Sequence, residues 1–135
     1  ITVESLLALR SYSTVHQLES DVAGELADTK TGFDALSALF PGGSMTGAPK
    51  IRACALIAEL ENRPRGVYSG AIGWVSPSGD MDLGMVIRTA IFQKQTVSIS
   101  VGGGITSGSD PETEHAEMQL KALALVQAMG ASVNW

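Results

Sequence analysis

Three strand-like segments, 67–75, 81–92 and 96–101, lie so close together in the chain that they can pair only antiparallel. A parallel crossover needs roughly a dozen residues or more, and here the connections are the turn Pro77-Ser78-Gly79-Asp80 and the short stretch 93–95. Along 81–92, Met81, Leu83, Met85, Ile87 and Ile91 share one face, and Asp82, Val86, Arg88 and Ala90 share the other. The expectation is a three-stranded antiparallel meander that stops at Gly102-Gly103-Gly104.

Helical patterns flank the meander. Val15, Leu18, Val22, Ala23 and Leu26 recur at helical spacing, which predicts a helix over 16–27. A short helix is expected over 34–39, ending at Pro41, and another over 48–61, broken by Asn62, Pro64 and Gly66. After the strands, Asp110-Pro111-Glu112 reads as a cap, a first-turn proline and a first-turn acid, opening a helix that stops at Gly130. The order of helices, strands and helix predicts an α+β fold over 1–135, an antiparallel sheet flanked by helices.

Composition narrows the function. A net charge of −5 argues against nucleic acid, which requires a basic face. No apolar run approaches the roughly 20 residues of a membrane helix. No signal peptide is visible at Ile1, where the absence of Met leaves the natural start open. Cys54 stands alone, which excludes an intrachain disulfide and a cysteine-based metal site and fits a reducing cytoplasm.

Several residues are candidates for chemistry. The stretch from Phe40 to Lys50 runs into a helical pattern, with Pro49 expected at the first helical position. Glycine, serine and threonine before a helix N-terminus suit carboxylate or phosphate, although such a loop also serves as a plain tight turn. Glu114, Glu117 and Lys121 share one helix face at i, i+3 and i+7. That face suits a divalent cation, since Mg²⁺ takes one or two carboxylates plus water and substrate oxygens, or it is a solvated face with a Glu117–Lys121 ion pair.

Arg88, in an apolar strand, must either pair internally, with Asp82 as the candidate, or offer its planar fork to a ligand carboxylate. His16 could act as an acid or base or be structural. Tyr68 and Ser69, placed at a strand start, could present hydroxyls or simply pack. His115 points off the carboxylate face.

These pieces resemble one family, the chorismate-utilising enzymes. The resemblance lies in Pro41 to Lys50 continued by Ile51-Arg52-Ala53, in Tyr68-Ser69-Gly70-Ala71-Ile72-Gly73, and in Ile87-Arg88-Thr89. It continues in Gly102-Gly103-Gly104-Ile105 and in Ser109-Asp110-Pro111 with Glu114, Glu117 and Lys121 beyond, so that it runs from about Leu6 to Val126. Leu9-Arg10-Ser11-Tyr12 and Pro41-Gly42-Gly43-Ser44 look like the branch that makes aminodeoxychorismate for para-aminobenzoate and folate, with the anthranilate-forming branch as runner-up.

The resemblance implies an enzyme that binds chorismate with Mg²⁺ and replaces its 4-hydroxyl with an amino group. The ammonia would come from a glutamine amidotransferase subunit or domain. Glu117 would ligate magnesium, with Glu114 as a neighbouring acid or second ligand. Arg88, Tyr68, Gly102, Gly103 and Gly104 would hold a carboxylate. Thr46 and Gly47 would line the pocket, Lys121 would face substrate or magnesium, and His16 would lie near the reacting ring carbon.

The resemblance also implies the C-terminal portion of a fold in which two large antiparallel sheets pack as a sandwich, within a parent roughly three times as long. Its upstream part would hold a P-I-x-G-T segment, with a lysine nucleophile in the aminodeoxychorismate branch, and a further acidic magnesium motif. Neither occurs here, so the chain alone is expected to be inactive, and its uncovered sheet to self-associate. A non-catalytic anion-binding or assembly module is the alternative.

Overall fold

A computed structural model describes residues 1–133. The chain packs as two compact units, Ile1–Ala38 and the chain from Leu39 onward. The single-domain expectation over 1–135 extends to 134 and 135, outside the described residues.

The first unit is built on a hairpin of β1 (Thr2–Ser11) and β2 (His16–Ala23), with α1 (Gly32–Leu39) after it. The helix expected over 16–27 is therefore a strand. Leu18 and Val22 stand four apart, a spacing that shares a face in a strand as well as in a helix. The partner decides between them: Leu18 pairs with Leu9, Val22 with Val3 and His16 with Ser11. A turn closed by Tyr12 N–H to the Val15 carbonyl, 2.9 Å, joins the two strands. The pairing shifts register near Ser5, and Leu7 there has φ 50 and donates its N–H to Ser20 Oγ at 2.9 Å. In α1, Thr31 and Asp34 cap the first turn reciprocally, the Thr31 N–H reaching Asp34 Oδ2 at 2.8 Å.

In the second unit the glycine-proline stretch folds into a one-turn helix, α2 (Gly43–Thr46), ahead of α3 (Lys50–Glu61). Pro49 is the cap of α3 rather than its first residue. Its φ is −68 but its ψ is 135, and its carbonyl accepts the Ala53 N–H at 3.0 Å. Asn62, in the left-handed region at φ 47, ends the helix.

The expected meander is two hairpins instead. β3 (Ala71–Val75) pairs with β4 (Met81–Met85), and β5 (Ala90–Gln93) pairs with β6 (Thr96–Ile99). The predicted strand 81–92 breaks at 86–89. There the Ile87 N–H turns to the Met85 carbonyl, the Thr89 hydroxyl bonds the Ile87 carbonyl at 2.9 Å, and Arg88 takes φ 51. These local bonds compete with a continuous ladder. The third strand ends at Ile99, ahead of the glycine run.

Residues 66–69 form a turn, so Tyr68 and Ser69 precede β3 rather than begin it. Ser69 still reaches across to Val86, its N–H bonding the Val86 carbonyl at 3.0 Å. Gly73 is needed where β3 meets β4, because a Cβ there would collide with the Asp82 carbonyl oxygen.

The last helix, α4 (Pro111–Ala128), begins as its residues predict. Asp110 caps it by accepting the Thr113 N–H at 2.9 Å, and Pro111 opens the first turn. Gly130, at φ 64, stands just past its end. Ala122 and Val126, one turn apart on α4, are buried. They share an apolar groove with Phe92, Val97 and Ile99 of the β5–β6 hairpin and with Val101 just beyond it. Many large apolar side chains stay exposed, Ile51 at 89% and Phe92 at 72% among them. Among the described residues no helix is long and apolar enough to cross a membrane.

Candidate functional site

The second unit holds a cavity of about 410 Å³. One side is α2 and the end of α3, through Ser44, Met45 and Glu61. Another is the turn that bears Arg65 and Tyr68, and a third is the break between the hairpins, with Ile87 and Arg88. The chain from Ser100 to Ile105 and Lys121 of α4 complete the wall. Elements far apart in sequence therefore converge on one hollow.

Arg88 reaches it because the strand breaks there. Its side chain is exposed, and its left-handed backbone is a strained conformation of the kind that gathers at functional positions. Among the described residues it makes no hydrogen bond and no ion pair, so the alternative pairing with Asp82 does not form. An exposed arginine also needs no internal partner, unlike the buried one the apolar strand implied.

The glycine run is narrow because side chains press on it from two sides. A Cβ on Gly102 would stand 3.0 Å from the Tyr68 hydroxyl, and one on Gly103 would stand 2.8 Å from Glu114 Oε2. Glycine here lets a phenol and a carboxylate close on the backbone. Lys121 holds the run to α4, its Nζ donating to the Gly102 carbonyl at 3.1 Å.

Glu117 pairs with Lys121 across one helical turn. The Lys121 hydrogen bond, and the more distant charge of Arg88, hold the Glu117 carboxyl below the ordinary glutamate range. Glu114 turns instead toward Ser109, whose hydroxyl donates to Oε1 at 2.6 Å. It lines a second hollow of about 360 Å³, which shares Gly102, Gly103 and Ile105 with the first and adds His115 and Met118. His115 itself bonds Gln119 one turn along α4.

Among the described residues no three histidine, cysteine, aspartate or glutamate side chains gather as a metal cage. A magnesium ion usually takes one or two carboxylates from a protein, the rest being water and substrate oxygens, and Glu114 and Glu117 would be the carboxylates to supply them. The Glu117 side chain is half-exposed.

Other expected site residues make contacts of their own. Thr46 closes α2 on itself, its hydroxyl donating to the Gly42 carbonyl at 3.2 Å, and the cavity wall at that loop is Ser44 and Met45. Gly47, at φ 97, ends α2. His16 belongs to the first unit, where its Nδ1 shares a hydrogen bond with Ser11 Oγ at 2.9 Å.

Sequence reasoning missed Arg65. Its Nη2 lies 2.6 Å from Glu61 Oε1, its Nη1 donates to the Met45 carbonyl and to Ser69 Oγ at 2.9 Å each, and it stands 5.7 Å from the Tyr68 ring centre. The signal was the i, i+4 pair Glu61 and Arg65, hidden because Asn62, Pro64 and Gly66 read only as helix breakers.

Known proteins resemble this chain in sequence and in fold. The family described as chorismate binding enzyme matches residues 1–127. The chain is 42% identical to anthranilate synthase component 1 of Aquifex aeolicus (strain VF5), over 96% of this chain and 26% of that protein. It is 47% identical to aminodeoxychorismate synthase of Streptomyces pristinaespiralis, over 96% of this chain and 18% of that protein. The crystal structure of anthranilate synthase component I from Streptococcus pneumoniae TIGR4 superposes with a TM-score of 0.86 at 42% identity, over 92% of this chain and 28% of that one. The α+β fold is thus that of part of an anthranilate synthase component I. The chain spans about a quarter or less of the length of these relatives.

Proposed function

The chain belongs to the chorismate-binding enzyme family, and from that premise we propose that it is part of an aminodeoxychorismate synthase, with the cavity at Arg88 as its chorismate site. The supporting observation is Arg88 itself: an arginine that makes no hydrogen bond and no ion pair among the described residues, on a cavity wall beside the Tyr68 hydroxyl and the glycine run. Chorismate is a dianion, and in a chain of net charge −5 it needs such a concentration of donors.

In this reading the Arg88 guanidinium forks onto one substrate carboxylate and the Tyr68 hydroxyl donates to the same group. Backbone N–H groups of Gly102, Gly103 and Gly104 approach closely because no Cβ stands in the way. Lys121 adds positive charge to the wall and orients Glu117 by pairing with it. Glu114 and Glu117 would hold Mg²⁺, which when bound neutralises carboxylate charge and acts as a Lewis acid. Ammonia from a glutamine amidotransferase partner would replace the 4-hydroxyl.

A second reading, amination toward anthranilate, is favoured by the relatives of that name, among them one from Thermococcus kodakarensis at 46% identity. One assay separates the two. The complete enzyme is incubated with chorismate, Mg²⁺ and ammonium, and products are resolved by chromatography. We expect 4-amino-4-deoxychorismate. Anthranilate would move the assignment to the second reading, and consumption of no chorismate would remove both.

A further inference from the structure

We propose that Arg65 is a positioning residue of this cavity, fixing Tyr68 and the Met45 wall where they meet the substrate; this rests on the chorismate reading of the cavity. A guanidinium has five N–H groups. Nε donates to Glu61, at 2.9 Å to Oε2, and Nη2 donates to Glu61 Oε1 at 2.6 Å. Both hydrogens of Nη1 are committed, one to the Met45 carbonyl and one to Ser69 Oγ. Four of the five are spent on protein, so although Arg65 lines the cavity it has little left for a ligand.

Those bonds join separate parts of the wall. Glu61 is the last residue of α3, Met45 belongs to α2, and Ser69 is the neighbour of Tyr68 in the turn. Ser69 is 7% exposed and sits at φ 69, a conformation that a serine holds only when its surroundings fix it. The same guanidinium stands over the Tyr68 ring. Arg65 thus ties together three segments and sets the direction of the Tyr68 hydroxyl toward Gly102. Lysine cannot do this: it has one nitrogen where the clamp needs three.

The test uses the complete enzyme and steady-state kinetics with chorismate for wild type, Arg65→Lys, Tyr68→Phe and the double variant. Arg65→Lys should raise KM about tenfold with kcat within about threefold, the mark of lost substrate binding. In the double variant KM should exceed that of Tyr68→Phe by less than about threefold, because Arg65 acts largely through Tyr68. Fully multiplicative effects on KM, or a fall in kcat at unchanged KM, would overturn the proposal. If Arg65→Lys does not fold, Glu61→Gln takes its place; it keeps the shape of the clamp and removes its charge. A raised KM then supports the proposal and an unchanged KM overturns it. Arg88→Lys runs alongside. If it too leaves KM unchanged, the chorismate reading of the cavity fails; if it raises KM while the Arg65 variant does not, only the positioning role fails.

Discussion

The Lys121 ammonium donates to the Gly102 carbonyl at 3.1 Å while it pairs with Glu117 on its own helix. One side chain therefore ties the glycine run to α4 and holds the carboxyl beside it below the ordinary glutamate range. The bond also turns the Gly102 carbonyl toward a cation. Backbone N–H groups, rather than carbonyl oxygens, are then what the run can offer to an anion.

Glu117→Gln keeps the shape of that face and removes one negative charge. In the complete enzyme we expect a weaker Mg²⁺ dependence and turnover reduced on the order of 10²-fold, the scale of damage at a metal site. A magnesium titration of initial rate checks this, and a curve superposable on wild type would refute the ligand role.

Arg88→Lys keeps the charge and loses the fork. Chorismate affinity should fall by about 1.5–3 kcal/mol, the scale of a hydrogen bond to a charged group. Calorimetric titration measures it. Normal affinity with reduced thermal stability would make Arg88 a structural residue.

Gly73→Ala places a methyl group against the Asp82 carbonyl where β3 pairs with β4. The hairpin must splay, at a cost of about 1–3 kcal/mol, the scale of overpacking. Denaturant unfolding reads this directly, with Gly104→Ala as the control, since no atom stands within 4 Å of a Cβ built there.

Acid should loosen the Arg65 clamp. The hydrogen bond from Arg65, more than the Coulomb attraction, holds the Glu61 carboxyl below the ordinary glutamate value of about 4.3. A carboxylate lowered on folding stabilises the fold above its unfolded pKa, and that contribution is lost as pH falls through the lowered folded value. Stability should therefore decline below the ordinary glutamate range, and Glu61→Gln should flatten that part of the profile. A profile unchanged by Glu61→Gln would show that the pair adds nothing, as partly exposed pairs sometimes do.

Local chemistry made much of this fold legible. Asp110, Pro111 and Gly130 mark the ends of α4 because caps, a first-turn proline and a terminal glycine act within one turn. The turn at Gly79 is equally local, with φ 95 only glycine adopts easily. Partnership was not legible. Residues 16–23 satisfy either period, and only pairing with β1 makes them a strand. The break at Arg88 comes from bonds made by Ile87 and Thr89 that no hydrophobic pattern announces. Residues of the candidate site with strong sequence signatures, Tyr68, Arg88, the glycines and Lys121, converge on one cavity. Arg65 had no signature because its partners come from three segments that only the fold brings together.

Chorismate in the cavity at Arg88 is the premise on which every functional role above depends. A crystal structure of the complete enzyme soaked with chorismate and Mg²⁺ tests it without intermediaries. The ligand should lie in this cavity, one carboxylate within hydrogen-bond distance of both the Arg88 guanidinium and the Tyr68 hydroxyl and against the backbone of the glycine run. Chorismate bound elsewhere, or bound here with Arg88 turned away from both carboxylates, would contradict that placement.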